Sequence, residues 1–261
     1  MRRARLVALV ALLIPALSGC GGEKPGAHSL FIPAVIRAGG RRHTTWRTVV
    51  TARGEAGQQI RIGRWPPNHP AAELETLTLG PTGTVPIPSL VLDLPAVSSL
   101  TLDSDRPFDV AAAIEGKRGG VSLAPLGVPV LDARSLARPG DQLRVGPLVS
   151  NDRETSHFCV TLPWTERDTA PFRLEFVFTA PDGREILREE RATNGVPWLV
   201  ANPWSEFWLP KAPEVYLEVN FLNALRGRKP VLGVWLYAVT QEKATGASRF
   251  LTTTVRRGAR N

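Results

Sequence analysis

Residues 172–193 have the sequence FRLEFVFTAPDGREILREERAT, and this segment has the pattern of a β-hairpin. Its first eight residues place apolar side chains mainly at alternate positions, as in a strand with one face in a core. Asp182-Gly183 separates this run from a second one, and a turn glycine accepts a positive φ at no steric cost. The segment therefore predicts two antiparallel strands joined by a tight turn.

The same pattern of short runs and turn residues extends along most of the chain. Twenty-three Gly and twenty-three Pro interrupt it, at a spacing typical of β-sandwiches. Long helical periods are absent beyond the N-terminus, and Asp132–Ala137 is expected to form only one helical turn. The sequence therefore predicts an all-β fold. Its main strands are predicted at Thr45–Ala52, Gln58–Trp65, Ser99–Asp103, Val110–Ile114, Phe172–Thr179, Glu214–Phe221, Val231–Thr240 and Phe250–Val255.

Residues 1–19 have the features of a secretory signal peptide. Three arginines precede the apolar run Leu6–Leu17, which is too short to span a bilayer. The residues that follow, Leu17-Ser18-Gly19-Cys20, resemble the bacterial lipobox at all four positions. The resemblance implies cleavage between Gly19 and Cys20 and attachment of lipid to the Cys20 thiol. The alternative is an ordinary cleaved signal followed by a chance cysteine.

The predicted anchor places the protein in the bacterial cell envelope. Residues 20–27 would then comprise the lipidated cysteine and a flexible, glycine-containing tether, and two or more acyl chains hold a protein stably on a membrane. In Gram-negative lipoproteins, Asp after the lipidated cysteine often signals retention in the inner membrane. Because that position is Gly21 here, the resemblance favours the outer membrane. We expect a membrane partner through this lipid, and an envelope polymer, a glycan or a protein as a further partner.

The net charge of the chain is +8, and removal of the three signal arginines lowers it to about +5. The basic residues are scattered, and the densest groups are Arg41-Arg42 and the tail at residues 256–261. A solvated arginine-rich surface explains this distribution, and attraction to an anionic surface, such as lipid headgroup phosphates or envelope polymers, is the alternative. Nothing in the pattern resembles a nucleic-acid-binding module, so nucleic acid is not an expected partner.

A weak internal repeat divides the mature chain. Ile32-Pro33-Ala34-Val35 recurs as Val128-Pro129-Val130-Leu131, which predicts a boundary near Leu126-Gly127. We therefore expect one β-sandwich domain at residues 28–126, a second at 127–255, and a basic tail at 256–261. The alternative is one larger sandwich in which the two halves share a core.

Five short motifs characterise the second half: Val128-Pro129-Val130, Arg138-Pro139-Gly140-Asp141, Asp182-Gly183, Leu236-Tyr237-Ala238-Val239-Thr240 and Thr245-Gly246. In these motifs it resembles a repeated immunoglobulin-like β-sandwich module of bacterial secreted and surface proteins. The first half keeps only the Pro-containing opening and Trp46-Arg47-Thr48, and Cys159-Val160 replaces the Arg-Thr of that family. The resemblance implies two tandem immunoglobulin-like domains and a non-catalytic extracellular role.

The sequence contains no familiar catalytic signature, so we expect a binding, adhesion or scaffold protein without a cofactor or metal. Cys159 lies in an apolar run and is expected to be a buried hydrophobic residue rather than a nucleophile. The acidic segment Asp103–Asp109 is predicted to be a turn rather than a calcium loop, because Arg106 interrupts it. A hydrolase with an active site that the sequence does not reveal is an alternative.

The candidate ligand-binding residues lie in one aromatic segment at residues 198–208. Three Trp and one Phe occur within these eleven residues. If they project from the surface, their rings would stack on sugars, and this predicts a carbohydrate-binding site. The alternative is that the rings fill the sandwich core, because large aromatic side chains dominate core burial. The candidate ligand-binding residues are Trp198, Asn202, Trp204, Glu206 and Trp208.

Overall fold

A computed structural model describes residues 28–39, 44–65, 73–87, 96–161, 172–193, 198–210, 214–224 and 233–258. The predicted signal peptide, Cys20 and the tether lie outside the described residues. Within them, nineteen strands form three antiparallel sheets and one short α-helix is present, which confirms the all-β prediction. No helix in the described ranges is long and apolar enough to cross a membrane.

Residues 28–132 contribute the ten strands of the first sheet, whose main order is β4-β3-β6-β1-β2-β7-β8. Its strands are β1 (His28–Gly39), β2 (Thr44–Arg53), β3 (Gln59–Trp65), β4 (Glu73–Thr78), β5 (Thr84–Pro86), β6 (Ala96–Ser104), β7 (Asp109–Arg118), β8 (Val121–Ser122), β9 (Leu126–Gly127) and β10 (Leu131–Asp132).

Strand β1 organises this first sheet. Its N-terminal part pairs with β6 and β10, and its C-terminal part pairs with β6 and β2. A bulge between Ile32 and Val35 separates the two parts. Every residue from Phe31 to Val35 is buried, so the Pro-containing segment of the predicted repeat lies in the core. Strand β9 coincides with the predicted Leu126-Gly127 boundary and β10 follows it, and both pair with this sheet.

Residues 142–256 form two further sheets. The five-stranded sheet has the order β14-β13-β16-β11-β19 and the four-stranded sheet has the order β15-β12-β17-β18. The strands are β11 (Gln142–Val149), β12 (Glu154–Thr161), β13 (Phe172–Thr179), β14 (Glu185–Thr193), β15 (Trp198–Val200), β16 (Glu214–Ala224), β17 (Trp235–Glu242), β18 (Ser248–Leu251) and β19 (Thr253–Arg256).

The hairpin predicted at Asp182-Gly183, after the strand Phe172–Thr179, is confirmed. Strand β13 pairs with β14 from Phe172 opposite Thr193 to Thr179 opposite Glu185. Gly183 has a φ of +85°, and the Asp182 carboxylate accepts a hydrogen bond from the Arg184 N–H at 3.0 Å. Gly183 therefore supplies the positive φ of the turn, and the Asp182 side chain caps the turn backbone, as expected for these residue types in a turn.

The core of the second half lies between its two sheets. Phe176 on β13 and Phe158 on β12 are fully buried, with ring centres 6.2 Å apart. Nearly all buried apolar residues of both halves belong to one connected cluster, which joins Phe31 and Ile32 to these rings through intervening side chains. The two halves are thus in direct contact. The predicted helical turn is confirmed as a 3₁₀ turn at Ala133–Ser135, between the two halves.

Candidate binding site

The aromatic segment contains a one-turn helix that the sequence pattern did not predict, α1 (Pro203–Glu206). Asn202 is its N-cap, and the side-chain oxygen of Asn202 accepts hydrogen bonds from the N–H groups of Trp204 (3.2 Å) and Ser205 (3.4 Å). Pro203 occupies the first helical position, where a missing N–H has no consequence. The Asn-Pro pair was the available signal for this helix. Asn202, a candidate ligand-binding residue, is therefore used to cap α1.

The helix ends in a geometry that normally uses glycine. The N–H of Leu209 donates to the Trp204 carbonyl at 3.1 Å. This is the 6→1 hydrogen bond of a Schellman motif, which joins residues five positions apart. The residue between the C-cap Phe207 and Leu209 is Trp208, whose φ is +50°. Among the described residues, Trp208 is the one non-glycine residue with a positive φ. A left-handed conformation costs an ordinary residue about 1–2 kcal/mol, so this position is strained.

Phe207, immediately before Trp208, fixes the helix to the core. The ring of Phe207 is buried, and its centre lies 4.9 Å from that of Phe178 and 5.2 Å from that of Phe176 on β13. It lies 6.1 Å from Phe158 on β12. One aromatic side chain of the segment therefore fills the space between the two sheets, as the core interpretation predicted for these rings.

Arg191, on the edge strand β14, covers this aromatic cluster from outside. Its guanidinium lies 4.3 Å from the Phe207 ring centre and 5.0 Å from that of Trp198. The same group bonds the carboxylates of Glu189 (2.6 Å) and Glu206 (2.9 Å). Glu206 is therefore paired within the protein. Sequence reasoning did not identify Arg191, because nothing in the order of residues shows which strand passes over the segment.

The three candidate tryptophans differ in exposure. Trp198 and Trp204 are half-buried and pack against the core, and Trp198 meets Phe176 edge-on at 5.4 Å. The indole nitrogen of Trp204 is buried without a hydrogen-bond partner. Trp208 is 90% exposed. The segment therefore presents one exposed ring above a fixed base, and it does not bring the three rings into one exposed row.

The acidic segment at residues 103–109 forms a closed turn. Ser29 donates a hydrogen bond to the buried Asp103 carboxylate. The Gln58 amide donates to the Ser104 hydroxyl at 2.9 Å and to the Arg106 carbonyl at 3.0 Å. The segment connects β6 to β7, as the turn prediction requires. These hydrogen bonds come from Ser29 and Gln58, which are distant in the sequence, and not from aspartate side chains to nearby backbone as the prediction had it. A groove of about 530 Å³ lies beside it. No group of three or more potential metal-ligating side chains occurs in the described residues.

Cys159 has the surroundings of a structural residue. It is buried on β12, directly opposite Tyr237 on β17. Burial raises the pKa of the Cys159 thiol to about 12, so almost none of it is the reactive thiolate at neutral pH. Burial also lowers the pKa of the neighbouring His157. The prediction that Cys159 is a buried small hydrophobic residue is confirmed.

No protein-family model and no curated protein matches this sequence. The class that the structure defines is an all-β protein built from antiparallel sheets, with a fixed aromatic segment that presents Trp208. The lipobox and immunoglobulin-like resemblances remain predictions that depend on the residues quoted for them.

Proposed function

We propose that this chain is a lipid-anchored, non-catalytic binding protein of the bacterial cell envelope, and that Trp208 is its contact for a protein partner. The observation that carries the proposal is the conformation of Trp208. Its ring is almost fully exposed and its backbone is in the left-handed region. Glycine would satisfy this position without strain. The Trp208 side chain is large and apolar, yet it is not buried and its backbone is strained, so it does not stabilise the fold. This indicates that it contacts another molecule.

The surroundings of Trp208 favour a protein as the partner. Tryptophan is enriched among the residues that dominate protein–protein binding energies, and such residues are typically ringed by polar groups. Here the ion pairs of Arg191 with Glu189 and Glu206 connect the edge strand β14 to the short helix that precedes Trp208. The neighbours Phe207 and Leu209 are buried, so the backbone at Trp208 is held on both sides. A backbone that is already fixed in its conformation loses little further entropy on binding.

The predicted anchor supports an envelope location for this surface. Lipidation at Cys20 would leave a tether of eight residues, 20–27, before β1 begins at His28. A chain of that length spans at most about 28 Å. The folded part would therefore stay close to the membrane that carries it, and its partner would be a protein at or near the same surface.

Site-specific photocrosslinking in a bacterial host tests this proposal. A benzoylphenylalanine residue at position 208 of the full-length chain is expected to give one discrete adduct with an envelope protein, identified by mass spectrometry. The matched control is the same substitution at Val121, which is 69% exposed and has no role in the proposal. We expect no adduct of that mass from position 121.

The affinity of the identified protein for purified variants completes the test. Trp208→Gly is expected to weaken binding about 30-fold, the loss typical of a dominant interface residue, while Val121→Ala leaves the affinity unchanged. An unchanged affinity for Trp208→Gly would overturn the assigned contact. Adducts that contain only lipid or glycan would contradict a protein partner and would indicate that Trp208 contacts a membrane surface or a carbohydrate.

A further inference from the structure

A second candidate binding site lies where the two halves of the chain meet. A cleft of about 360 Å³ opens between the start of β2 and the end of β7 in the first sheet and the β17–β18 hairpin of the four-stranded sheet. This volume is at the lower end of the range for small-molecule sites. Its lining includes Thr44, Trp46, Arg118, Thr155, Gln241 and Thr245. The turn Thr245-Gly246, a motif noted in the sequence, forms one wall.

Trp46 supplies an aromatic surface to this cleft. It lies on β2 directly opposite Gly116 on β7, and a β-carbon at Gly116 would fall 2.5 Å from the Trp46 ring. The ring therefore lies against bare backbone, which only glycine allows at that position. On the cleft side, a β-carbon at Gly246 would lie 3.9 Å from the ring. Trp46 is half-buried and is one of the residues that line the cleft.

The charged side chains of the cleft already have partners. Arg118 donates to the carbonyls of Ala244 and Thr245, both at 3.4 Å. Lys243 donates to the Asn151 carbonyl, and Glu242 accepts a hydrogen bond from the Thr245 hydroxyl. The two bonds of Arg118 are long, but an anionic ligand would have to displace the bond of Lys243 and approach the carboxylate of Glu242. The arrangement therefore favours an uncharged ligand over a phosphate or a carboxylate.

Hydroxyl and amide groups surround the aromatic surface. Thr155 on β12 lies directly opposite Gln241 on β17, and both are half-buried. The Gln241 amide makes only a long hydrogen bond, 3.5 Å, to the Gly246 carbonyl. Threonine hydroxyls and a glutamine amide each donate and accept hydrogen bonds. An electron-rich ring face attracts C–H groups. Together these groups match a ligand with many hydroxyls on one side and C–H bonds on the other.

We propose that this cleft binds a neutral saccharide of one or two pyranose units, with Trp46 stacking on one sugar face and Thr155 and Gln241 bonding its hydroxyls. The site is distinct from Trp208 and does not depend on the protein partner proposed above. Because residues of both halves line the cleft, a bound sugar would also stabilise their contact. Ligand binding to the folded state alone raises the unfolding temperature.

Binding of cellobiose, maltose and chitobiose to the purified full-length chain tests this site, with inorganic phosphate as the anionic probe. A detergent without a sugar headgroup, such as lauryldimethylamine oxide, is required. We expect saturation-transfer NMR to detect at least one disaccharide with a Kd of about 10 mM or tighter, accompanied by a higher Tm. No binding of any disaccharide up to about 50 mM would overturn the proposal, as would phosphate displacing the bound sugar.

Two variants locate the bound sugar. Trp46→Ala is expected to weaken binding at least 10-fold, and Thr155→Val about 5-fold, the effect of one hydrogen bond. Thr155→Val nearly preserves side-chain shape, so it remains informative if Trp46→Ala fails to fold. The matched control is Thr179→Val, another half-buried strand threonine, which should bind like the wild type. Equal affinities for the two valine variants would contradict the assignment, and so would loss of sugar binding in Trp208→Gly.

Discussion

The guanidinium of Arg191 lies 4.3 Å from the centre of the Phe207 ring. This contact joins the edge strand of the five-stranded sheet to the short helix that precedes Trp208. Phe207 in turn contacts rings from both sheets. The backbone next to the exposed Trp208 is therefore fixed to the core through the contacts of Phe207.

Replacing Arg191 by alanine should destabilise the protein measurably. The variant removes a cation held over two aromatic rings together with two ion pairs, and we expect a loss of about 1–2 kcal/mol. Urea denaturation, monitored by tryptophan fluorescence, measures this loss of unfolding free energy. Arg173→Ala on the same hairpin is the control, because Arg173 is half-exposed and pairs only with Glu190 among the contacts described. Its loss should stay below about 0.5 kcal/mol. Equal losses in the two variants would show that the aromatic contacts of Arg191 contribute nothing.

Trp208→Gly should make the fold more stable while it removes the proposed partner contact. Glycine adopts the left-handed conformation freely, so relief of the strain at φ +50° is expected to stabilise the chain by about 1 kcal/mol. Trp208→Ala, which keeps the strain, should change the stability little. Thermal and urea unfolding of the three proteins provide the comparison. A clear loss of stability in the glycine variant would mean that the ring supports the fold.

Asp141 should make the stability depend on acid pH. Burial opposes ionisation of its carboxylate. However, hydrogen bonds from the Arg138 N–H, the Arg257 guanidinium and the Gly258 N–H together lower the pKa of Asp141. A lowered folded-state pKa means that the unfolded state binds the proton more readily. The stabilisation is therefore complete above the unfolded pKa, about 4, and is lost as the pH falls through the lower folded value.

Comparison of Asp141→Asn with the wild type tests this dependence. At pH 7 the variant should be less stable by about 2–3 kcal/mol, because charge-assisted bonds to Arg257 (2.7 Å) and to two backbone N–H groups are weakened. The difference should shrink between about pH 5 and pH 2. Unfolding free energies measured at several pH values give the result. A difference that stays constant down to pH 2 would contradict the assigned role of the carboxylate.

Cys159 should be unreactive until the protein unfolds. Its thiol is buried and its pKa is raised to about 12. At pH 8, iodoacetamide therefore cannot reach the sulfur, and almost none of the thiol is in the reactive thiolate form. In a Cys20→Ser variant it is the one thiol of the chain. We expect no labelling of the native protein over hours and full labelling in urea. Rapid modification under native conditions would show that the strand pair β12–β17 opens locally or that the thiol is activated.

Parts of the fold could be predicted from the sequence because they depend on local chemistry. The Asp182-Gly183 turn and the strand Phe172–Thr179 follow from a turn residue and an alternating pattern, and both appear with the expected bounds. The contact of Arg191 with Phe207 and the pairing of Trp46 with Gly116 could not be predicted. Each depends on strand register and sheet order, which arise from long-range packing. The short helix α1 was missed because one helical turn leaves no periodic pattern.

Mass spectrometry of the mature N-terminus tests the central claim most directly. The full-length chain should be produced in a bacterium with lipoprotein processing and isolated from its membranes. Trypsin should then release a peptide that spans residues 20–37 and carries acyl chains on Cys20, because Lys24 precedes proline. A Cys20→Ala variant is the control and should lack this species. An unmodified chain that still begins at Met1 would contradict the lipid anchor and the envelope function that depends on it.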